Sequence, residues 1–175
     1  MLEFLKGKRT SVGPHDFVAE IEIERPASAV YPLLDLADPL FTKRQLGDQV
    51  KAVPGQPDTF HLVVKELPDV TFALKVTAAV PGSEFAFDCL SSQQLGRVAR
   101  SHEHYHLEEL GPELCRLVLT NTVEFAKPLR NFEAEEEAIL LSIAGYNALA
   151  KIKVHAEHGT AAVEAMSAEF MLGLG

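Results

Sequence analysis

Basic residues are scarce in this chain: 16 Lys and Arg stand against 25 Asp and Glu, a formal net charge of −9 over 175 residues. Nucleic acids and anionic membrane surfaces are held through basic patches that release counterions, so this balance argues against both as main partners. Cysteine is almost missing. Cys89 and Cys115 lie in apolar surroundings without CxxC spacing, which predicts reduced structural thiols and a cytoplasmic setting. No apolar run approaches the ~20 residues that a spanning helix needs, so no membrane insertion is expected. Leu2, Phe4 and Leu5 precede Lys6, Lys8 and Arg9, the reverse of the basic-then-apolar order of a secretion signal. A GxSxG nucleophile motif and a Gly-rich phosphate loop are absent too, which leaves nucleophilic and phosphate chemistry with little support.

What is present is an ordinary globular composition, 47% hydrophobic and 23% charged. The length suits one domain of roughly 100–200 residues, burying about 70% of its unfolded surface. Residues 17–24, FVAEIEIE, alternate strictly: Phe17, Ala19, Ile21 and Ile23 share one face, the period of a half-buried strand. Arg25-Pro26 stops that strand. Ser28 is expected to cap a short helix through Val30, Leu33 and Leu34, and Asp38-Pro39 to open a second one that Gly47 closes.

From residue 48 to 125 strand-like runs alternate with turn residues. The breaks fall at Pro54-Gly55, Leu67-Pro68-Asp69, Pro81-Gly82, Ser91 to Gly96 and Gly111-Pro112, and they predict six strands over 48–53, 59–66, 70–79, 84–90, 97–110 and 114–125. Connections this short imply antiparallel hairpins and exclude βαβ crossovers. After Asn131 the pattern turns helical. Glu133, Glu135, Glu136 and Glu137 open this segment and Lys151, Lys153 and His155 close it, both in the sense that complements the helix dipole. Ala134, Ala138, Leu141, Gly145, Leu149, Ile152 and Ala156 form one face at spacings of three and four, and Gly159 is the expected stop. The expected division is an N-terminal extension over 1–16, a domain over 17–158 and an apolar C-terminal tail over 159–175. That tail either packs back or forms an exposed patch for homodimerisation.

One strand, two short helices, six more antiparallel strands and one long helix make an α+β chain whose sheet needs a cover on one face. This order, with the first strand followed by ERPASAVYPLLDLADPL, resembles the SRPBCC/START-like superfamily: polyketide cyclases and aromatases, START lipid-transfer domains and birch-pollen-allergen-like proteins. The resemblance implies a helix-grip fold, in which a seven-stranded antiparallel curved sheet wraps a long C-terminal helix around an elongated cavity. The small residues Ala138, Gly145 and Ala156 would leave volume there, or else simply permit close helix–sheet contact.

Strand alternation nominates the cavity lining. Phe60, Leu62, Phe72, Leu74, Phe85, Phe87, Leu117 and Leu119 point inward, with Leu141 and Gly145 opposite them on the helix. Ser101, Tyr105, Asn121 and Glu103 interrupt this surface, with Tyr31, Ser142 or Tyr146 as further polar candidates. Glu103 is the candidate general acid or base if burial perturbs it; the plainer alternative is a carboxylate at the strand's open end, solvated or paired with Arg97 or Arg100. Asn121 would orient a ligand, or be satisfied by neighbouring backbone. His102, His104 and His106 share the opposite face. Neighbouring members are ~6.5–7 Å apart, but no third ligand is spaced to complete a zinc site. Neither metal nor cofactor is therefore expected. The leading expectation is a carrier or sensor for a hydrophobic small molecule. A cyclase- or dehydratase-like enzyme using Glu103, Tyr105 and Asn121 is the alternative, and a partner-binding module working through the C-terminal tail is a third.

Overall fold

The computed structural model describes residues 9–172, with side chains through residue 166. The alternating segment forms β1, His15–Ile23, with Phe17, Ala19, Ile21 and Ile23 on its inner face. The short helix α1, Ala27–Val30, runs directly into a 3₁₀ turn over Tyr31–Leu33. Ser28 lies inside α1 and caps nothing. The N-cap position belongs to Pro26, at φ −65° and ψ 149°, an extended conformation that its ring already favours. The second helix, α2, covers Thr42–Gln45 and begins later than Asp38-Pro39 suggests. Asp38 instead accepts the Leu40 N–H at 2.7 Å, a local turn that competes with helix.

The remaining strands are β2 (Gln49–Ala52), β3 (Thr59–Val63), β4 (Phe72–Val80), β5 (Glu84–Ser91), β6 (Val98–Gly111) and β7 (Leu114–Phe125). They form one open antiparallel sheet in the order β1-β7-β6-β5-β4-β3-β2. Strands β2 to β7 are a meander. β1 pairs with β7 along its whole length, from His15↔Val123 to Ile23↔Cys115. The consecutive strands β1 and β2 therefore occupy opposite edges, and residues 24–48 must cross six strand spacings of ~4.8 Å each. Register shifts at Val76/Ala78 and at Val98/Arg100 are bulges of the kind that bend strands.

The long helix α3 spans Asn131–His158, 28 residues and roughly 42 Å. Glu133 accepts the Arg130 N–H at 2.8 Å, which occupies a donor left free at the helix start. That hydrogen bond is the main influence holding its carboxyl below the usual range. Gly159, at φ 83°, ends the helix, a left-handed conformation that glycine adopts without steric cost. α3 lies on β1 and β7: a Cβ added at Gly145 would sit 3.7 Å from Ala19 Cβ and 3.9 Å from Leu119 Cδ2. The chain continues as α4, Thr160–Leu172, against α3, and Val163 is completely buried. The start of the tail is thus anchored, with Val163 inside the protein. The side chains of Phe170, Met171 and Leu172, part of the expected interface, lie outside the described residues. Ahead of β1, the Thr10 N–H donates to Leu129 O at 2.9 Å and the Phe125 N–H to Val12 O at 2.7 Å.

The core has two parts. The larger packs all seven strands and the crossing segment against the second half of α3, through Ile23, Leu34, Leu62, Leu74, Phe85, Leu117 and Leu149. The smaller gathers Val123, Phe125 and Leu129 with Phe17, Val98 and Leu141 at the start of α3.

Candidate functional site

The seam between the two core clusters is polar. Phe87, Glu103, Asn121 and Phe17 are successive cross-strand partners over β5, β6, β7 and β1, and Cys89, Ser101 and Val123 form the next inward rung. Tyr105 is buried one inward position beyond Glu103, and its hydroxyl donates to Glu103 Oε2 at 2.7 Å. Residues two apart on a strand share a face, so the pair is a local product of the sequence. Burial, and then the Glu103 charge, hold the Tyr105 phenol well above its ordinary value. Arg97 instead pairs with Glu136 and Glu137, each at 3.1 Å, and Arg100 with Glu124. Of the alternatives for Glu103, pairing with Arg97 or Arg100 is therefore not what the structure has; its partner is the Tyr105 phenol. Asn121 Oδ1 is buried without a partner, so of its two alternatives satisfaction by neighbouring backbone does not hold for this oxygen. β7 pairs with both β1 and β6, so its backbone groups are engaged in the ladders. Burial, and secondarily Glu103, push the Cys89 thiol up to about 11.

Beside this seam lies a cavity of about 780 Å³, inside the 300–1,000 Å³ range of small-molecule sites. Phe87 and Tyr105 form its sheet wall, and Ala144, Asn147, Ala148, Lys151 and Ile152 line it from α3. Leu33, Leu34, Phe41, Thr42, Lys43 and Leu46 close it from the crossing segment, with Asp48, Val64, Lys65, Glu66 and Glu164 around them. Its origin is geometric. Gly145 lets α3 lie tightly on the β1–β7 edge, which leaves the middle strands uncovered on the other flank. The chain crossing between β1 and β2 then walls off that space.

Of the nominated residues, Phe87 and Tyr105 line the cavity. Leu62 and Leu74 are buried in the main core, with Phe60 and Phe72 packed against it. Phe85 meets Tyr31 edge-on, centroids 6.1 Å apart. Leu117 and Leu119 lie in the main core, Leu119 directly beneath Gly145, and Leu141 belongs to the smaller cluster. Gly145 provides close approach and no volume, which corrects its reading as a void-maker. Ser142 and Tyr146 face solvent, so neither interrupts the inner surface. Ser101 stands opposite Cys89, and Glu103 is not part of the lining but reaches it through its hydrogen bond with Tyr105.

Sequence reasoning missed the crossing segment, the Ala144–Ala148 flank of α3 and the lysines of the rim. It also missed His155, a buried residue whose Nδ1 lies 3.0 Å from Thr42 Oγ1 and Nε2 3.3 Å from Thr160 Oγ1. His155 thereby ties α2, α3 and α4 together beside the cavity, and burial lowers its pKa. The spacing 144, 148, 151 was visible as a helical row beside the apolar stripe, but nothing in the pattern marked it as the cavity side. On the outer face, His102 Nδ1 meets Asp88 Oδ1 at 2.8 Å and His104 Nε2 meets Glu84 Oε1 at 3.0 Å. Among the described residues no cluster of three or more His, Cys, Asp or Glu side chains is placed to hold a metal. Nor is any helix among them long and apolar enough to cross a membrane.

An open seven-stranded antiparallel sheet, short helices after the first strand and a long C-terminal helix with a cavity at its flank define the SRPBCC/START-like helix-grip fold. Solved structures agree with that class. The ZhuI aromatase/cyclase from Streptomyces sp. R1128 is 19% identical, covers 83% of this chain and 98% of its own, and superposes with a TM-score of 0.59. Ara h 8.0201 is 14% identical over 82% of this chain and 98% of its own, TM-score 0.59. DynU16, from the dynemicin biosynthetic locus, is 13% identical over 82% of this chain, TM-score 0.60; the match spans 48% of that longer protein. No family model and no curated protein matches the sequence.

Proposed function

We propose that the protein binds a hydrophobic or amphipathic small molecule in the cavity between α3, the crossing segment and the sheet, as a carrier or sensor in the cytoplasm. One observation carries the reading: a space of about 780 Å³ beside an apolar wall, in a fold whose interior would otherwise pack without voids. Leu33, Leu34, Phe41, Phe87 and Ile152 supply apolar surface, and Tyr105 is the polar group at its inner end. A few oriented polar groups in an apolar pocket are the usual means of small-molecule recognition. The open cavity favours a ligand over a partner-binding module with a solid interior. Homodimerisation through the tail would be a separate property. The free thiols of Cys89 and Cys115 fit a reducing compartment.

Titration with the neutral fluorophore N-phenyl-1-naphthylamine, alongside native mass spectrometry of the purified chain, tests the reading. Saturable one-to-one binding is expected, and its abolition by Ala148→Trp, which places an indole in the cavity. Failure of the fluorophore to bind, with no retained small molecule by mass, overturns it.

A second reading has its own support. Tyr105 and Glu103 form a hydrogen-bonded pair at 2.7 Å with the unpartnered Asn121 Oδ1 on the same rung, and ZhuI is an aromatase/cyclase. Tyr105 would then pass a proton between the ligand and Glu103, which fits a cyclase- or dehydratase-like enzyme. Glu103→Gln separates the two: carriage survives it and turnover does not.

A further inference from the structure

The charges at the rim of the cavity are unevenly used. The lining divides into a buried end, formed by Leu33, Leu34, Phe41, Phe87, Tyr105 and Ile152, and a rim of exposed or half-exposed charges. That rim holds three lysines from three separate elements, Lys43 on α2, Lys65 after β3 and Lys151 on α3, together with Asp48, Glu66 and Glu164. Lys65 is engaged: its Nζ donates to Leu46 O at 3.0 Å and lies 3.7 Å from Glu66 Oε1. Asp48 is engaged as well, accepting the Lys65 N–H at 3.1 Å. Lys43 and Lys151 are not. Among the described residues neither ammonium has a carboxylate within 4.0 Å or a hydrogen-bond acceptor. Next to the buried end the acidic side chain is Glu103, which accepts the hydrogen bond of the Tyr105 hydroxyl.

We infer that the ligand is an amphiphile with an anionic group, a carboxylate in the simplest case, seated at the rim between Lys43 and Lys151 with its apolar body toward Leu34 and Phe87. The inference rests on the cavity being a ligand site, and it adds the ligand's charge and direction. An anion at the buried end would lie in low dielectric beside Glu103, where repulsion is strongest. At the rim it accepts charge-assisted hydrogen bonds from two lysines that lack a partner. A cationic group at the rim would find only Glu164 beside it, since Asp48 and Glu66 are already engaged by Lys65, and a neutral one would leave Lys43 and Lys151 unused.

Displacement of bound N-phenyl-1-naphthylamine from the full chain by dodecanoate, dodecan-1-ol and dodecylamine tests this, since the three share one chain and differ in the head group. Dodecanoate is expected to displace at roughly tenfold lower concentration than the alcohol, in keeping with two partly exposed charge contacts. That preference should shrink as salt rises and fall to within about twofold in Lys43→Gln/Lys151→Gln. Equal displacement by acid and alcohol, preference for the amine, or an acid preference that survives both added salt and the double variant overturns the inference while leaving the cavity reading intact. Failure of the fluorophore and all three amphiphiles to bind overturns both. The salt titration uses the unaltered chain, so the test stands if the double variant folds poorly.

Discussion

The same side chain placed at two α3 positions three residues apart should have opposite consequences. At Gly145 a Cβ already meets Ala19 Cβ at 3.7 Å and Leu119 Cδ2 at 3.9 Å, which is ordinary contact with nothing to spare. A phenyl ring there has to displace α3 from β1 and β7. Overpacking of this kind costs about 1–3 kcal/mol, from which the gain in helix propensity over glycine recovers roughly half a kcal/mol. For a chain of this size each kcal/mol moves the melting temperature by about 2–4 °C, so Gly145→Phe should melt some 1–10 °C lower. At Ala148 the ring projects into the cavity. It meets space and apolar wall, so its burial offsets its poorer propensity and stability should stay within about 1 kcal/mol. Ala148→Phe should instead weaken N-phenyl-1-naphthylamine binding at least tenfold, roughly 1.4 kcal/mol. Thermal melts and one titration on both variants decide the matter. If Ala148→Phe is the less stable variant and binds normally, then α3 is rotated from the orientation described and the cavity is not where it is placed.

Three further outcomes follow from the seam and the α3 terminus. Tyr105→Phe keeps the ring but removes a hydrogen bond to a carboxylate and should cost about 1.5–3 kcal/mol in urea denaturation at neutral pH. Because the Tyr105 phenol is held above its ordinary value of 10.0, its contribution is fully present below pH 10 and is lost as pH rises beyond it; Tyr105→Phe should remove that share of the alkaline decline. His155 behaves in the opposite direction. Its folded pKa lies below 6.5, so the unfolded chain binds the extra proton first and stability falls as pH drops below about 6.5. His155→Gln should flatten that acid limb in melts between pH 7 and 5, and an unchanged limb would count against the buried imidazole as its source. With its thiol near 11, Cys89 should be alkylated by iodoacetamide at pH 8 about a hundredfold more slowly than an ordinary thiol. Glu103→Gln should speed this reaction, and no change would mean that the carboxylate is not beside the sulfur.

Much of the sheet was legible because alternation is a local property. Side chains two apart must share a face, so the inward sets of β1, β6 and β7 and the Tyr105–Glu103 pair follow from the order of residues alone. The turn residues after Val53, Val80 and Leu110 likewise require hairpins, and a run of hairpins is a meander. Errors arose where a residue had two local options: Ser28 as cap or helix interior, Asp38 as cap or turn. Gly145 was ambiguous for another reason. A missing side chain means either empty space or close approach, and only the neighbouring surface distinguishes them.

The sequence by itself determined which face of each strand is apolar, where the chain turns, and that one long helix must cover the sheet. The tertiary structure alone decided that β1 pairs with β7, which sends residues 24–48 across the whole sheet and makes them a cavity wall. It alone set the rotation of α3, which presses Gly145 to the sheet and turns Ala144, Ala148 and Lys151 toward the cavity. It alone gathered Lys43, Lys65 and Lys151 at one rim. Strand alternation depends on bonds between neighbours, whereas edge pairing, helix rotation and the meeting of distant charges depend on how finished elements fill space together.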